Sequence, residues 1–438
     1  MSRFPWWSRV LVVSTAAIAV LVIAGPAAGQ AATYPMGFSE RTVFSGLTNP
    51  TAIRFASDGR VFVAEKSGLI KVFDSLSDPQ PDLFADLRTQ VHNFWDRGLL
   101  GLALDPGFPN TPYVYVLYTH DAAIGGTAPR WGTPGTTSDG CPTPPGATGD
   151  GCVVSGRLSR LAASGNSMVG TEQVLIEDWC QQYPSHSIGS LAFGPDGQLY
   201  ASGGDGASFN WVDYGQGGGI VNRCADPPNE GGALRSQDMR TTSDPVTLDG
   251  TVIRIDPNTG EGSAGNPFAS SSDANARRIV AYGLRNPFRI NFRPGTPELW
   301  AGDVGWNDWE EINRILNPTD GLVENFGWPC YEGGTRVPFT VGNSAITESS
   351  IGTLGLGTNP FSDFKLAVDG GNLGGLFARS TASATGIFGS SFSGIGLSGF
   401  SESGTGVFGQ TNTGWAGFFQ GRVNVTGPLS IGNLLMNA

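Results

Sequence analysis

The chain has 438 residues, 39% of them hydrophobic and only 15% charged, with 65 Gly and 29 Pro. Ample core material joined by frequent turn formers points to an all-β architecture with few helices and excludes a chain that is disordered throughout. A formal net charge of −12 leaves no basic surface to neutralise a phosphate backbone, which excludes nucleic acid as an expected partner.

In chain order, residues 1–31 read as a secretory signal peptide. Arg3 and Arg9 precede an apolar run from Leu11 to Ala24, and the small-residue stretch GPAAGQAA follows, with cleavage expected near Ala31. A retained membrane anchor is the alternative, but the run is short for a span and stops at Gly25-Pro26. A secreted chain can form disulfides, and there are five Cys. Cys141 and Cys152 bracket a Pro/Gly-rich loop and could close it, Cys180 and Cys224 bracket a hairpin, and Cys330 is left over.

The stretch 36–334 is a succession of short strand pairs. AIRFASDGRVFVAEKSGLIKVFD (Ala52 to Asp74) reads as three strands around a tight turn, and GLLGLALDPGFPNTPYVYVLYTHDA (Gly98 to Ala122) as a hairpin with a period-two aromatic strand. The Gly/Pro/Thr/Asp-rich segment from Ile124 to Cys152 reads as a long surface loop, and RLSRLAAS resumes a strand. SLAFGPDGQLYASG is the central hairpin, entered through Ser185-His186-Ser187. A Gly/Asn/Asp-rich excursion (Ala207 to Ser243) follows, then the strand TVIRIDPNTGE and the strands of RRIVAYGLRNPFRINFRPGTPELWAGDVGWNDWEEINRI. Small antiparallel units recurring every 40 to 60 residues, roughly, predict radial stacking into a β-propeller, with a two-sheet sandwich as the competing arrangement.

Several of these motifs, in this order, carry a resemblance: RGLLGLALDPGFP, SHSIGSLAFGPDGQLYASGGDGA, LDGTVIRIDPNTGEG, IVAYGLRNPFRINFRP, ELWAGDVGWNDWEEIN and NFGWPCYEG. Together they resemble the glucose/sorbosone dehydrogenase family, quinoprotein sugar dehydrogenases with a six-bladed β-propeller, to which the propeller of the hedgehog-interacting protein is also similar. The resemblance implies pyrroloquinoline quinone and Ca²⁺ as cofactors, a small sugar as substrate and an external electron acceptor. By position, His186 would be the general base, a role suited to imidazole near neutral pH. Arg285 and Asn286 would face the quinone carbonyls, where a fixed cation stabilises developing negative charge. Backbone carbonyls of Gly305 and Trp306 would hold Ca²⁺, with Asp303 and Glu311 among the nearby oxygen donors. Asp205 reads as a turn former or a further oxygen ligand.

Three departures accompany the resemblance. Asp96 and Arg97 stand where the family has a glutamine against the quinone, and are the residues expected at that part of the cofactor site; Ser185 stands where an Asp often precedes the catalytic His. Family members also continue past the GWP motif through about two more blades, whereas here the character changes after Thr335. The expected fold is therefore a six-bladed-type propeller of about four blades. Residues 335–364 read as a linker. Residues 365–438 read as a Gly-rich repeat of ten residues, marked by Gly386, Gly396 and Gly406 with Phe388, Phe408 and Phe418 as core candidates. That repeat predicts a β-solenoid or β-roll serving attachment or homo-oligomerisation. The expected function is a secreted aldose-oxidising quinoprotein; the alternative is a non-catalytic extracellular propeller that binds carbohydrate or protein.

Overall fold

A computed structural model describes residues 34–143, 146–209, 223–227, 231–240 and 245–337, the backbone of 346–348, 354–356 and 366–368, and Thr426. The expected signal peptide and nearly all of the Gly-rich repeat lie outside the described residues. The chain divides into two units, Met1–Gly342 and Asn343–Ala438. In the second, Ile346–Glu348, Leu354–Leu356 and Leu366–Val368 form a three-stranded sheet, the first two strands falling within the stretch expected to be a linker.

The first unit is a four-blade propeller arrangement. Blade 1 comprises β1 (Pro50–Phe55), β2 (Val61–Glu65), β3 (Leu69–Phe73) and β4 (Asp82–Asp86). Blade 2 comprises β5 (Leu99–Leu104), β6 (Tyr113–His120), β7 (Val154–Ser164) and β8 (Ser167–Gln181). Blade 3 comprises β9 (Ile188–Phe193), β10 (Leu199–Gly203), β11 (Thr251–Ile255) and β12 (Ile279–Tyr282). Blade 4 has β13 (Pro287–Phe292), β14 (Leu299–Asp303) and β15 (Glu311–Ile315). Strand β16 (Glu324–Asn325) then returns to pair in parallel with β12. A short helix, α1 (Ala274–Arg278), is capped by Asp273, whose carboxylate accepts from the Asn275 and Ala276 amides.

Each interior blade is buried on both faces because successive side chains of a strand point to opposite sides of the sheet. On β6, Val114, Val116 and Tyr118 pack toward blade 1, while Tyr115 and Leu117 pack toward blade 3. On β10 and β11, Leu199, Ala201, Ile253 and Ile255 face blade 2, and Tyr200 and Val252 face blade 4. The inner strands β1, β5, β9 and β13 pack in succession around a central channel. Their entrances and exits form its two ends, and the functional candidates sit at the entrances.

Strands β4 and β8 are elements that sequence reading missed, and β8 is the longer. Gly165-Asn166 is a tight connection between β7 and β8, and ten registered pairs run from Val154↔Gln181 to Ser164↔Ser167. Both expected disulfides are present, Cys141–Cys152 and Cys180–Cys224, and Cys330 stands outside them. The first closes the surface loop, and the second ties the excursion after the central hairpin to the end of β8. Among the described residues no helix is long and apolar enough to cross a membrane.

Blades 3 and 4 meet at a glycine. A methyl group on Gly189 would overlap the Ser202 hydroxyl and the Pro287 carbonyl, two atoms already joined by a 2.7 Å hydrogen bond. Gly189→Ala is expected to cost about 1–3 kcal/mol by forcing the blades apart. Urea denaturation checks this, and a midpoint equal to that of the parent protein would contradict it.

Candidate functional site

The central hairpin is entered by a strained residue. His186 has φ of +48°, a left-handed conformation uncommon for a side chain other than Gly, Asn or Asp. Its backbone is pinned on either side. The Gly206 amide donates to the His186 carbonyl at 3.0 Å and the Gly204 amide to the Ser187 carbonyl at 2.7 Å. Gly204 must lack a side chain, since a methyl there would overlap the His186 carbonyl. The sequence GGDG thus bends back tightly enough to bring Asp205 beneath the histidine.

Asp205, read from sequence as a turn former or a metal ligand, is instead the partner of His186. Its Oδ1 lies 2.7 Å from His186 Nδ1 and accepts from the Ala207 amide at 2.9 Å. Its Oδ2 accepts from the indole N–H of Trp328 at 2.8 Å. Asp205 is fully buried, and burial pushes its pKa up, but the charge and hydrogen bond of His186, followed by the charge of Arg285, hold it below the usual carboxylate range. With Nδ1 facing a carboxylate, the neutral ring carries its proton on Nδ1. Nε2, which has no hydrogen-bond partner among the described residues, is then the basic nitrogen.

Arg285 joins the same cluster. The Asp205 amide donates to the Arg285 carbonyl at 2.9 Å, and the guanidinium lies 5.4 Å from the centroid of the Trp328 ring. Its Nη1 donates to the carbonyls of Val304 at 3.1 Å and Gly305 at 2.7 Å. Asp303 accepts the amides of Arg285 and Asn286 at 3.1 and 2.6 Å, anchoring the pair. Burial raises the Asp303 carboxyl to about 7, against the stabilising effect of those two amides. His186, Arg285, Asn286 and the Gly305 carbonyl therefore belong to one connected cluster.

Beside it is a cavity of about 340 Å³ at the channel entrance, lined by Thr51, Lys66, Trp95, Asp96, Ser187 and Asn286 among others. Asn286 Oδ1 and Arg285 Nε are buried and have no hydrogen-bond partner among the described residues, as groups waiting for a ligand would be. Lys66 donates to Asn93 at 2.7 Å; burial lowers its pKa while the charge of Asp96 raises it. Lys66 was not picked out from the sequence, because a lysine after a strand has no distinguishing local pattern.

The two residues that replace the family glutamine separate. Asp96 lines the cavity. Arg97 does not: it is fully buried and donates to the carbonyls of Cys152, Gln181 and Tyr183 at 2.6 to 2.9 Å. Its place is a clamp between the disulfide-closed loop and the end of β8, so its assignment as a cofactor contact is corrected.

The expected calcium loop is organised by another acid. Glu332 Oε1 accepts the backbone amides of Trp306, Asn307, Asp308 and Trp309. Those amides outweigh its burial and keep its carboxyl below the ordinary range. Glu310 accepts the Gly305 amide and Glu311 that of Gly333. Among the described residues no three His, Cys, Asp or Glu side chains converge on one point. The Gly305 carbonyl, the expected donor, already holds a guanidinium at 2.7 Å, where a second cation would be repelled. The arrangement does not fit Ca²⁺, whereas the cavity and its unpartnered amide oxygen fit an organic cofactor.

The chain is a propeller arrangement with a His–carboxylate pair at the entrance of its third inner strand. The family model described as Glucose / Sorbosone dehydrogenase matches residues 47–349, and the chain belongs to that family. It is 24% identical over 295 residues to an uncharacterized protein of Synechocystis, covering 66% of this chain and 58% of that protein. It is 25% identical over 307 residues to quinoprotein glucose dehydrogenase B of Acinetobacter calcoaceticus, covering 68% and 53%. The chain thus spans a little more than half the length of these curated relatives. Among solved structures, one described as an oxidoreductase (glucose dehydrogenase) of Thermus thermophilus aligns at 27% identity and a TM-score of 0.48, covering 68% of this chain and 70% of that one.

Removing the Asp205 carboxylate strands three buried partners: the His186 ring, the Trp328 indole and the Ala207 amide. Asp205→Ala is expected to lose about 3–5 kcal/mol of stability, as when one partner of a buried charged network is deleted. Chemical denaturation measures it. A loss under about 1 kcal/mol would show that the carboxylate is not the junction described.

Proposed function

We propose that the protein is a secreted oxidoreductase that oxidises an aldose at C1, with pyrroloquinoline quinone in the entrance cavity and His186 as the general base. The observation that carries this reading is the 2.7 Å His186–Asp205 pair beside a cavity whose wall includes the unpartnered Asn286 oxygen. Family membership supports the reaction class.

In this reading Asp205 fixes the ring so that Nε2 takes the proton of the anomeric hydroxyl as hydride leaves C1, giving a lactone. The quinone, when bound, supplies the two-electron acceptor, and an external acceptor later removes the electrons. Asn286 and Lys66 would bind and orient the cofactor's polar edge, and the Lys66 ammonium would offset its carboxylates. Trp95 would cover the mouth and exclude water. Arg285, held on the Val304 and Gly305 carbonyls, would provide a fixed positive field near the reacting centre without needing to move. Secretion is consistent with the two disulfides.

The test is titration with pyrroloquinoline quinone followed by aldose and a dye acceptor. The parent protein is expected to bind the quinone saturably and reduce the dye. His186→Ala is expected to bind as well but turn over about 10²–10⁴-fold more slowly, the usual worth of a positioned base. A folded protein that binds no quinone would overturn the reading and leave the non-catalytic binding propeller in its place.

A further inference from the structure

The opposite end of the channel carries a different chemistry. Where the inner strands run out into turns, a cavity of about 690 Å³ is lined by Arg54, Ser57, Asp105, Ser190, Arg289 and Asn291, with apolar residues between them. The two arginines are braced alike. Arg54 donates to its neighbour's carbonyl, Ile53, at 2.8 Å and across to Leu191 of blade 3 at 3.1 Å. Arg289 donates to the Phe288 carbonyl at 2.8 Å and across to Thr51 of blade 1 at 3.1 Å. Each guanidinium is thereby fixed across the channel with further N–H donors left over, since arginine has five.

Among the described residues, neither arginine has a carboxylate acting on it. Burial lowers the pKa of both, and for Arg289 the charge of Arg54 lowers it further. Asp105, the acid on the wall, is engaged elsewhere: it accepts from the Gly107 amide at 2.8 Å and the Tyr115 hydroxyl at 3.5 Å. Two half-buried cations that repel each other, held rigid and without a counter-ion among the described residues in a chain of net charge −12, are an expensive arrangement unless an anion completes it. The planar guanidinium fork matches the paired oxygens of a carboxylate or phosphate.

We propose that this cavity binds a small organic oxyanion, a carboxylate or phosphate compound, gripped between Arg54 and Arg289. The cavity leaves room for a body of sugar size behind the anionic group, with the Asn291 amide and the serine hydroxyls to meet its polar atoms. This site runs from the middle of the inner strands to their exits, and its existence does not depend on the chemistry assigned to the entrances.

Isothermal titration of the full chain with inorganic phosphate, with gluconate and with neutral myo-inositol, which has no anomeric hydroxyl, at ionic strength held constant with chloride, tests it. Saturable binding of one anion per chain is expected, with myo-inositol inert. Binding of phosphate alone identifies a phosphate ligand, and binding of gluconate alone a carboxylate one; either result supports the site. Arg54→Gln and Arg289→Gln keep amide donors for the backbone carbonyls and are each expected to weaken binding roughly ten-fold or more. Lysine at either position keeps the charge without the fork and is expected to fall between, so the comparison survives if a Gln variant fails to fold. No saturable heat with either anion up to roughly 50 mM, myo-inositol binding as tightly as gluconate, or unchanged affinity in a folded double Gln variant would each overturn the proposal and leave the arginines as cross-channel braces.

Discussion

The junction at Asp205 is the constraint on which the site depends. A carboxylate with no solvent access is stable only when its oxygens are filled, and here an imidazole, an indole and a backbone amide fill them. Satisfying them fixes three things together. The GGDG turn must curl under His186, which requires a glycine at 204. His186 must adopt a left-handed backbone. Trp328, from the segment after blade 4, must come back over blade 3, where the Ser236 hydroxyl and the Gln237 amide also grip its carbonyl. The strain at His186 is thus balanced by a network reaching well beyond the hairpin.

The propeller supplies the rigid frame for that junction. Alternating side chains give every interior blade two apolar faces, so each blade is located by both neighbours. The entrances of the inner strands then stand at fixed positions, and the turns just before them can carry polar residues that the strands could not bury. The two ends of one channel consequently differ: a histidine–carboxylate pair with a neighbouring cavity at the entrances, and two unneutralised guanidiniums at the exits. The outer face of blade 4 is not packed in this way among the described residues; Ile312 is 75% exposed.

Much of the fold was legible because it is written in period-two patterns and turn residues. The hairpins around ASDG, DPGFPN and GPDG stand where those motifs predict; their recurrence pointed to a propeller, and the family resemblance to a count of about four blades. Strand β8 was missed because its half-exposed residues alternate weakly, although Gly165-Asn166 before it is a hairpin signal. His186, Asp96 and Asn286 were singled out through motif position; Asp96 and Asn286 line the entrance cavity, and His186 stands two residues before β9. What sequence could not give was partnership. Asp205 looks like any turn aspartate until GGDG is folded; Arg97 looks available until the disulfide-closed loop wraps it; Glu332 looks like a surface acid until four amides point at it. The acid-rich run from Asp303 to Glu311 suggested a cation, yet Asp303, Glu310 and Glu311 turn to backbone N–H groups instead. Long-range pairing of this kind depends on three-dimensional closure, for which local spacing carries no signal.

The central claim is that Asp205 sets the tautomer of His186 and leaves Nε2 as the basic nitrogen. Nitrogen-15 NMR of the histidine rings in protein labelled at its three histidines, in alkaline buffer and with assignment by His186→Gln, measures this directly. The account predicts that the His186 proton resides on Nδ1 and that it moves or averages between the nitrogens in Asp205→Asn. A His186 ring protonated on Nε2 in the parent protein would contradict it.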